Sequence, residues 1–500
     1  MLAGNNGRTA PLHMSADEFR ALGHRLVDRV AEGLAAVPDG PVTRDEPPSA
    51  VRRALDLDGP LPETGTDAAS LVERTAQLLF EHSLFNGHPR FFGYITAPPS
   101  PIGILSELLA AAVNANVGAW ALSPAATEIE VQTIRWIAEL IGYPVTCGGL
   151  LVSGGNMANM LCLLAGRAKS ANWNVREQGV GASDRTLRLY ASVETHTWIQ
   201  KAADITGLGT AAIRWIPTDR QQRMDVSALR RQLDADRAAG DIPCAVVGTA
   251  GTVSTGSIDP LADIASVCRE HDVWFHVDGA YGGFAAALPN ASDDLRGLAA
   301  ADSVAVDPHK WLYAPLEAGC ALVRDPDRLR GAFAYHPPYY HFDERATNFV
   351  DYGVQNSRGF RALKVWLALR QVGASGYRTM IADDIALSRA MADAVAHHPE
   401  LELVTQSLSI TTFRYVPRDL RPMLGTEAAE RHLDALNRTL LDRLQGGGDL
   451  FVSNAVVNDR YLLRACIVNF HTTRADVERV PELAAQLGQI VDAELRPRTT

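Results

Sequence analysis

The chain has 500 residues, 47% of them hydrophobic, and a formal net charge of −11 from 58 acidic and 47 basic side chains. A chain this long buries a core large enough to divide among two or three domains. Its acidic balance argues against a polyanion-binding surface, which needs clustered Lys and Arg, so nucleic acid is not an expected partner.

Residues 1–13, MLAGNNGRTAPLH, lack the apolar core of a secretory signal, and no apolar run approaches the roughly 20 residues that span a bilayer. The six cysteines, 147, 162, 244, 268, 320 and 466, are scattered with no C-x-x-C pair, as small buried hydrophobes are in a reducing compartment. A cytoplasmic protein without disulfides and without membrane contact is expected. From Ser15 a helix is predicted, because Ser15 and Glu18 have capping-box spacing and Phe19, Leu22, Leu26, Val30 and Leu34 recur at three- and four-residue steps. Pro and Gly make residues 38–64 a predicted loop, followed by a helix over 68–80. Residues 1–100 are thus read as an N-terminal helical segment, packed on a partner subunit.

Over 101–375, strand-like runs (LRLYAS, IRWIP, AVVGTA, WFHVD, SVAVD, CALVR) alternate with helical stretches such as Leu261, Ile264, Ala265 and Cys268. That alternation predicts βαβ units, a mostly parallel sheet and a large catalytic domain of the α/β class. Over 376–500 the expected order is helix, strand, helix, a turn at Gly446-Gly447-Gly448, two strands and a final helix, a small α+β domain.

Chemistry concentrates at strand ends. Lys310, in Val306-Asp307-Pro308-His309-Lys310-Trp311, is placed to hold an aldehyde cofactor as a Schiff base. Asp278, closing the strand WFHVD, supplies a carboxylate for a pyridine nitrogen, keeping the ring protonated as an electron acceptor. Gly154, Gly155 and Asn156 lie between the apolar run Leu150–Val152 and a helical pattern, where backbone N–H groups hold a phosphate. His196, after LRLYAS, is placed to stack on the cofactor ring and contact substrate; His309 donates to the phosphate or relays a proton. These features describe a pyridoxal 5'-phosphate site. No H-E-x-x-H or Cys/His cluster accompanies them, so no metal is expected.

The motifs SGGNMAN, ETHTWIQKA, FHVDGAYGG, DPHKW and SRGFRALKVW, in that order, resemble the pyridoxal-dependent (group II) decarboxylases, the family that contains aromatic-L-amino-acid decarboxylase. The resemblance spans nearly the whole chain. It implies the fold-type I transferase architecture and a homodimer with active sites at the subunit interface. By the same resemblance Ala280 touches the second face of the ring, Thr252 and His309 lie around phosphate and ring, and Tyr352 occupies a loop whose tyrosine returns a proton to the substrate carbon.

The implied activity is decarboxylation of an L-amino acid, aromatic for preference, to a primary amine. The alternative is oxygen-dependent conversion to an aldehyde, or another lyase reaction on an amino-acid-derived intermediate. Ile95 and Gly118 stand where aromatic-specific members place phenylalanines, which equally admits a branched aliphatic or larger substrate. Val253 replaces a hydroxyl, and Asp307 stands where some members have asparagine near the phosphate.

Overall fold

The computed structural model describes residues 11–338 and 345–496. Most of the N-terminal run and part of the loop that precedes Tyr352 therefore lie outside the described residues. The first helix, Ala16–Ala36, carries the expected capping box, with Ser15 and Glu18 bonded reciprocally. None of its residues is buried, and Phe19 is 61% exposed. The helix predicted over 68–80 runs Ala68–His82. The predicted loop of residues 38–64 instead contains a helix, Pro48–Ala54, in which Pro48 occupies the first turn, where its missing N–H leaves no bond unmade.

A seven-stranded sheet forms the centre of the molecule. Its strands are β1 Gly148–Val152, β2 Leu187–Ser192, β3 Ile213–Ile216, β4 Ile242–Thr249, β5 Trp274–Asp278, β6 Ser303–Val306 and β7 Gly319–Val323. The order is β1-β7-β6-β5-β4-β2-β3, and β7 alone runs against the rest. Leu151, Val246, Val277, Val304 and Leu322 have no exposed surface, as expected of strands covered on both faces. The parallel strands end at one edge, so Val152, Ser192, Thr249, Asp278 and Val306 all deliver the chain to the same side. In open α/β sheets that carboxyl edge is where ligands bind.

A long helix, Ala362–His397, leads away from this layer and is interrupted at Gly373, whose φ of 69° and ψ of 167° are not helical. Beyond it lies a second, four-stranded antiparallel sheet of order β10-β11-β9-β8. It comprises β8 Leu401–Ser407, β9 Ile410–Tyr415, β10 Ser453–Val457 and β11 Arg460–Cys466. One strand was expected where β8 and β9 form a hairpin. Its turn contains no glycine: Leu408 takes a φ of 48°, a conformation leucine rarely adopts, so sequence gave no signal of a break. The small sheet has its own core, with Phe413, Leu436, Leu440 and Leu463 fully buried. Among the described residues no helix is long and apolar enough to cross a membrane.

Candidate active site

Gly155, Asn156, His196, Asp278, Ala280, His309 and Lys310 line one cavity of about 370 Å³ at the carboxyl edge of the large sheet. Lys310 arrives there because Pro308 stops β6 and starts a single helical turn, Pro308–Trp311. Its Nζ lies 3.0 Å from Oδ2 of Asp307. His309 Nδ1 sits 2.6 Å from the Ala318 carbonyl, which makes that nitrogen the donor, and Nε2 is 3.6 Å from Asp307 Oδ2. Burial pushes the His309 imidazole below its ordinary pKa, against the pull of Asp307.

Asp278 is held from two sides. Its Oδ2 accepts the indole N–H of Trp198 at 2.7 Å and its Oδ1 accepts the backbone N–H of Ala280 at 3.1 Å. Two residues earlier on the same face of β5, the ring of His276 meets Trp198 edge-on at 5.7 Å and 88°. His276 Nε2 donates to Asn159 Oδ1 at 2.7 Å, and Nδ1 accepts from the Ser303 hydroxyl at 2.9 Å. Complete burial pushes this imidazole down to about 4, so it is neutral with both nitrogens satisfied. Trp198, Asn159 and His276 lie inside the sequence motifs, yet nothing in residue type marks them as supports for Asp278. His196 lies on the cavity wall with Nδ1 accepting the Trp198 backbone N–H at 3.2 Å; burial lowers its pKa, and Lys310 acts in the same direction.

At the other end, Gly154 takes a φ of 136° and a ψ of −179°, a conformation essentially reserved for glycine, and turns the chain into the helix Gly155–Ser170. A Cβ on Gly155 would stand 2.8 Å from Asp307 Oδ2 and 3.1 Å from the Ala280 Cβ, so only glycine keeps this cradle open. The first N–H groups of the helix face it with the positive end of the helix dipole. Two buried oxygens here have no partner among the described residues, Thr249 Oγ1 and Asp307 Oδ1.

Two residues expected near cofactor or substrate, Thr252 and Gly118, do not line this cavity. Thr252 turns its hydroxyl into its own loop, 3.0 Å from Thr255 Oγ1 and accepting Ser257 N–H at 3.2 Å; Thr249, at the end of β4, faces the cavity instead. Gly118 does not line the cavity: its Cα hydrogen faces the Asn356 carbonyl so closely that a side chain has no room. Ile95 and Val253 do line it. Tyr352 is outside the cavity of its own chain, packed edge-on against Phe349 at 6.0 Å. That segment is anchored by Arg358, which lies over the Phe349 ring, pairs with buried Glu130 and donates to the carbonyls of Val117 and Leu151.

A lysine, a held carboxylate, an imidazole and a glycine-lined turn at a helix N-terminus converge at this one edge. Residues 48–416 match the family described as the pyridoxal-dependent decarboxylase conserved domain. The chain belongs to that family. It is 31% identical over 474 residues to an aromatic-L-amino-acid decarboxylase of Bacillus atrophaeus, covering 94% of this chain and 95% of that protein. It is 30% identical over 467 residues to a phenylacetaldehyde synthase of Petunia hybrida, covering 91% of each. The crystal structure of Oryza sativa TDC with PLP and tryptamine superposes with a TM-score of 0.88 at 28% identity, covering 98% of this chain and 100% of that one.

This decarboxylase therefore uses pyridoxal 5'-phosphate, and its own residues fit the cofactor: an amine for the aldehyde, a held carboxylate for the ring nitrogen, and an open glycine cradle for the phosphate. Among the described residues no group of three His, Cys, Asp or Glu side chains gathers as metal ligands.

Proposed function

We propose that this decarboxylase converts an L-amino acid, aromatic for preference, to its primary amine and CO2. The observation that carries the reading is the placement of Lys310 and Asp278 in one cavity, with the Asp278 carboxylate fixed by Trp198. When bound, pyridoxal 5'-phosphate supplies a ring that accepts the electron pair left by the departing carboxyl group. Lys310 would hold its aldehyde and Asp278 would keep a proton on its ring nitrogen, while His196 and Ala280 would flank the ring and Gly155 and Asn156 would hold the phosphate. His309 stands beside the phosphate end as a neutral hydrogen-bonding group.

The cavity wall includes the apolar side chains of Ile95, Val253 and Leu316, and among the described residues no arginine lines it. A side-chain carboxylate on the substrate would enter a cavity that already holds Asp278 and Asp307, with no guanidinium on its wall to balance the charge. An aromatic or aliphatic side chain suits this wall better. Tyr352 returns a proton to the substrate carbon; burial raises its pKa, which keeps the phenol protonated. The second reading, oxidative conversion to an aldehyde, has support in the similarity to the Petunia hybrida aldehyde synthase.

The proposal includes a homodimer with three parts per chain: the N-terminal helical segment to about residue 100, the catalytic domain to about 375 and the small domain beyond. Helix Pro101–Val113 leaves Leu105, Leu108, Leu109 and Val113 each more than half exposed, an apolar face suited to a second subunit. The six free thiols, five of them buried, suit a reducing cytoplasmic setting.

The test is a mass-spectrometric product profile of the cofactor-loaded enzyme with a panel of L-amino acids in air, scoring amine, aldehyde, ammonia and peroxide together. Amine without peroxide is the expected result. Aldehyde with ammonia and peroxide would replace it with the oxidative reading.

A further inference from the structure

Trp311 and Tyr313, one and three residues beyond Lys310, are held by a carboxylate that does not line the cavity. Asp384 lies on the long helix past its break at Gly373 and is 2% exposed. Its Oδ2 accepts two hydrogen bonds, from the indole N–H of Trp311 at 2.8 Å and from the hydroxyl of Tyr313 at 2.7 Å. Its Oδ1 accepts the backbone N–H of Asn469 at 3.4 Å. Trp311 follows Lys310 directly and stacks on Tyr281 at 5.0 Å and 17°. Tyr281 in turn follows Ala280 and shares a hydrogen bond of 2.7 Å with Ser409, in the β8–β9 turn. One carboxylate oxygen thus grips the chain one and three residues beyond Lys310.

No ion pair joins Asp384 among the described residues. A buried carboxylate without a counter-charge is costly, and residues that only fill space do not need to be acidic. What the carboxylate provides here is an oxygen able to accept both donors at once on a helix that does not belong to the large sheet.

We propose that Asp384 is a positioning residue: by holding Trp311 and Tyr313 from the small domain, it sets where Lys310 presents its amine to the cofactor aldehyde. The orientation of a reacting amine is sensitive, since a displacement of about 1 Å costs on the order of a hundredfold in rate when geometry is already favourable. The inference rests on the cofactor and not on the substrate or the products, so it stands or falls separately from the proposed reaction.

The experiment adds pyridoxal 5'-phosphate to the cofactor-free full-length chain and follows two quantities in parallel. One is cofactor bound, by equilibrium dialysis; the other is the rate at which bound cofactor becomes trapped on Lys310 by borohydride. Asp384→Ala is expected to slow trapping per bound cofactor by about tenfold or more while binding changes less, since misplacement acts on the amine and not on the phosphate cradle. Asp384→Asn, whose amide oxygen still accepts both donors, is expected to restore the rate to within about threefold. A role limited to stability would lower the amount of folded protein and leave the rate per bound cofactor unchanged.

Wild-type trapping in Asp384→Ala would overturn the proposal, and so would equal slowing in Asp384→Ala and Asp384→Asn. Should Asp384→Ala fail to fold, Trp311→Phe and Tyr313→Phe remove one donor each and leave the carboxylate in place. Slowed trapping in Trp311→Phe then supports the positioning role, and wild-type rates in both variants overturn it.

Discussion

The indole N–H of Trp198 lies 2.7 Å from Oδ2 of Asp278, so the carboxylate proposed to serve the cofactor is aimed by a residue 80 positions earlier in the chain. Trp198 is 1% exposed and touches the cavity wall as well. Trp198→Phe keeps most of the ring volume and removes this one donor. A hydrogen bond to a charged group contributes about 1.5–3 kcal/mol, so cofactor affinity should fall by about tenfold or more. Titration of the cofactor-free chain with pyridoxal 5'-phosphate, read by visible absorbance, checks this. Unchanged affinity would show that the Ala280 N–H alone is enough to hold Asp278.

His276 gives the fold a built-in sensitivity to acid. It is neutral in the folded chain, where burial pushes its pKa to about 4, against 6.5 for a free imidazole. The unfolded chain therefore binds the extra proton first. Stability from this group is fully present above pH 6.5 and is lost as the pH falls from there toward about 4. Its full size across that window is about 3 kcal/mol. Against His276→Gln, which does not titrate, the wild type should lose about 2 kcal/mol of relative stability between pH 7 and pH 5 in urea unfolding of the cofactor-free chain. A constant difference over that range would mean that His276 is not held neutral.

The parts of the site that were legible in sequence are those where residue type and strand-end position coincide. Asp278 closes a strand, Lys310, His196 and the Gly155-Asn156 turn lie within a few residues after one, and a parallel sheet brings all its strand ends to one edge. The supporting contacts were not legible, because they join residues distant in the chain through side-chain direction. Trp198 reaches Asp278 and Asp384 reaches Trp311 only after the layers are packed. Thr252, three positions from Thr249, lies beyond the end of β4 in a loop that uses its hydroxyl internally, a contact that residue type does not announce. The β8–β9 hairpin escaped because its turn is closed by Leu408 and Ser409, not by the glycine or asparagine that usually marks such a turn.

Asp307 should weaken cofactor binding through charge. It is 1% exposed, and its Oδ2 borders the Gly155 turn proposed to hold the phosphate. Lys310 balances it at 3.0 Å in the cofactor-free chain, but that lysine is also the residue that must leave the pair to reach the aldehyde. Two anions about 5 Å apart repel by about 3 kcal/mol at an effective dielectric near 20, before relaxation. Asp307→Asn should therefore bind pyridoxal 5'-phosphate about tenfold more tightly. Pyridoxal, which lacks the phosphate, should bind wild type and variant alike. Equal changes for both compounds would place the effect on Lys310 and not on the phosphate.

Tyr352 tests the subunit arrangement and the reaction together. It lies outside the cavity of its own chain, held edge-on to Phe349 in a segment that Arg358 fixes to the end of β1. Because it is not part of its own chain's cavity wall, the test asks whether Tyr352 acts within its own chain or on a second subunit's site. Lys310→Ala should abolish turnover and the visible absorbance of the bound cofactor, and Tyr352→Phe should shift products from amine toward aldehyde. Mixing the two variants under conditions that exchange subunits then separates the geometries. If Tyr352 acts across the interface, each hybrid dimer contains one site with both residues intact, and amine formation returns to about half of wild type per hybrid. If it acts within its own chain, no hybrid site is complete and the products stay those of the separate variants. Tyr352→Phe with wild-type products would remove Tyr352 from the reaction, and the same assay on Tyr335→Phe, Tyr339→Phe and Tyr340→Phe would then locate the phenol that donates the proton.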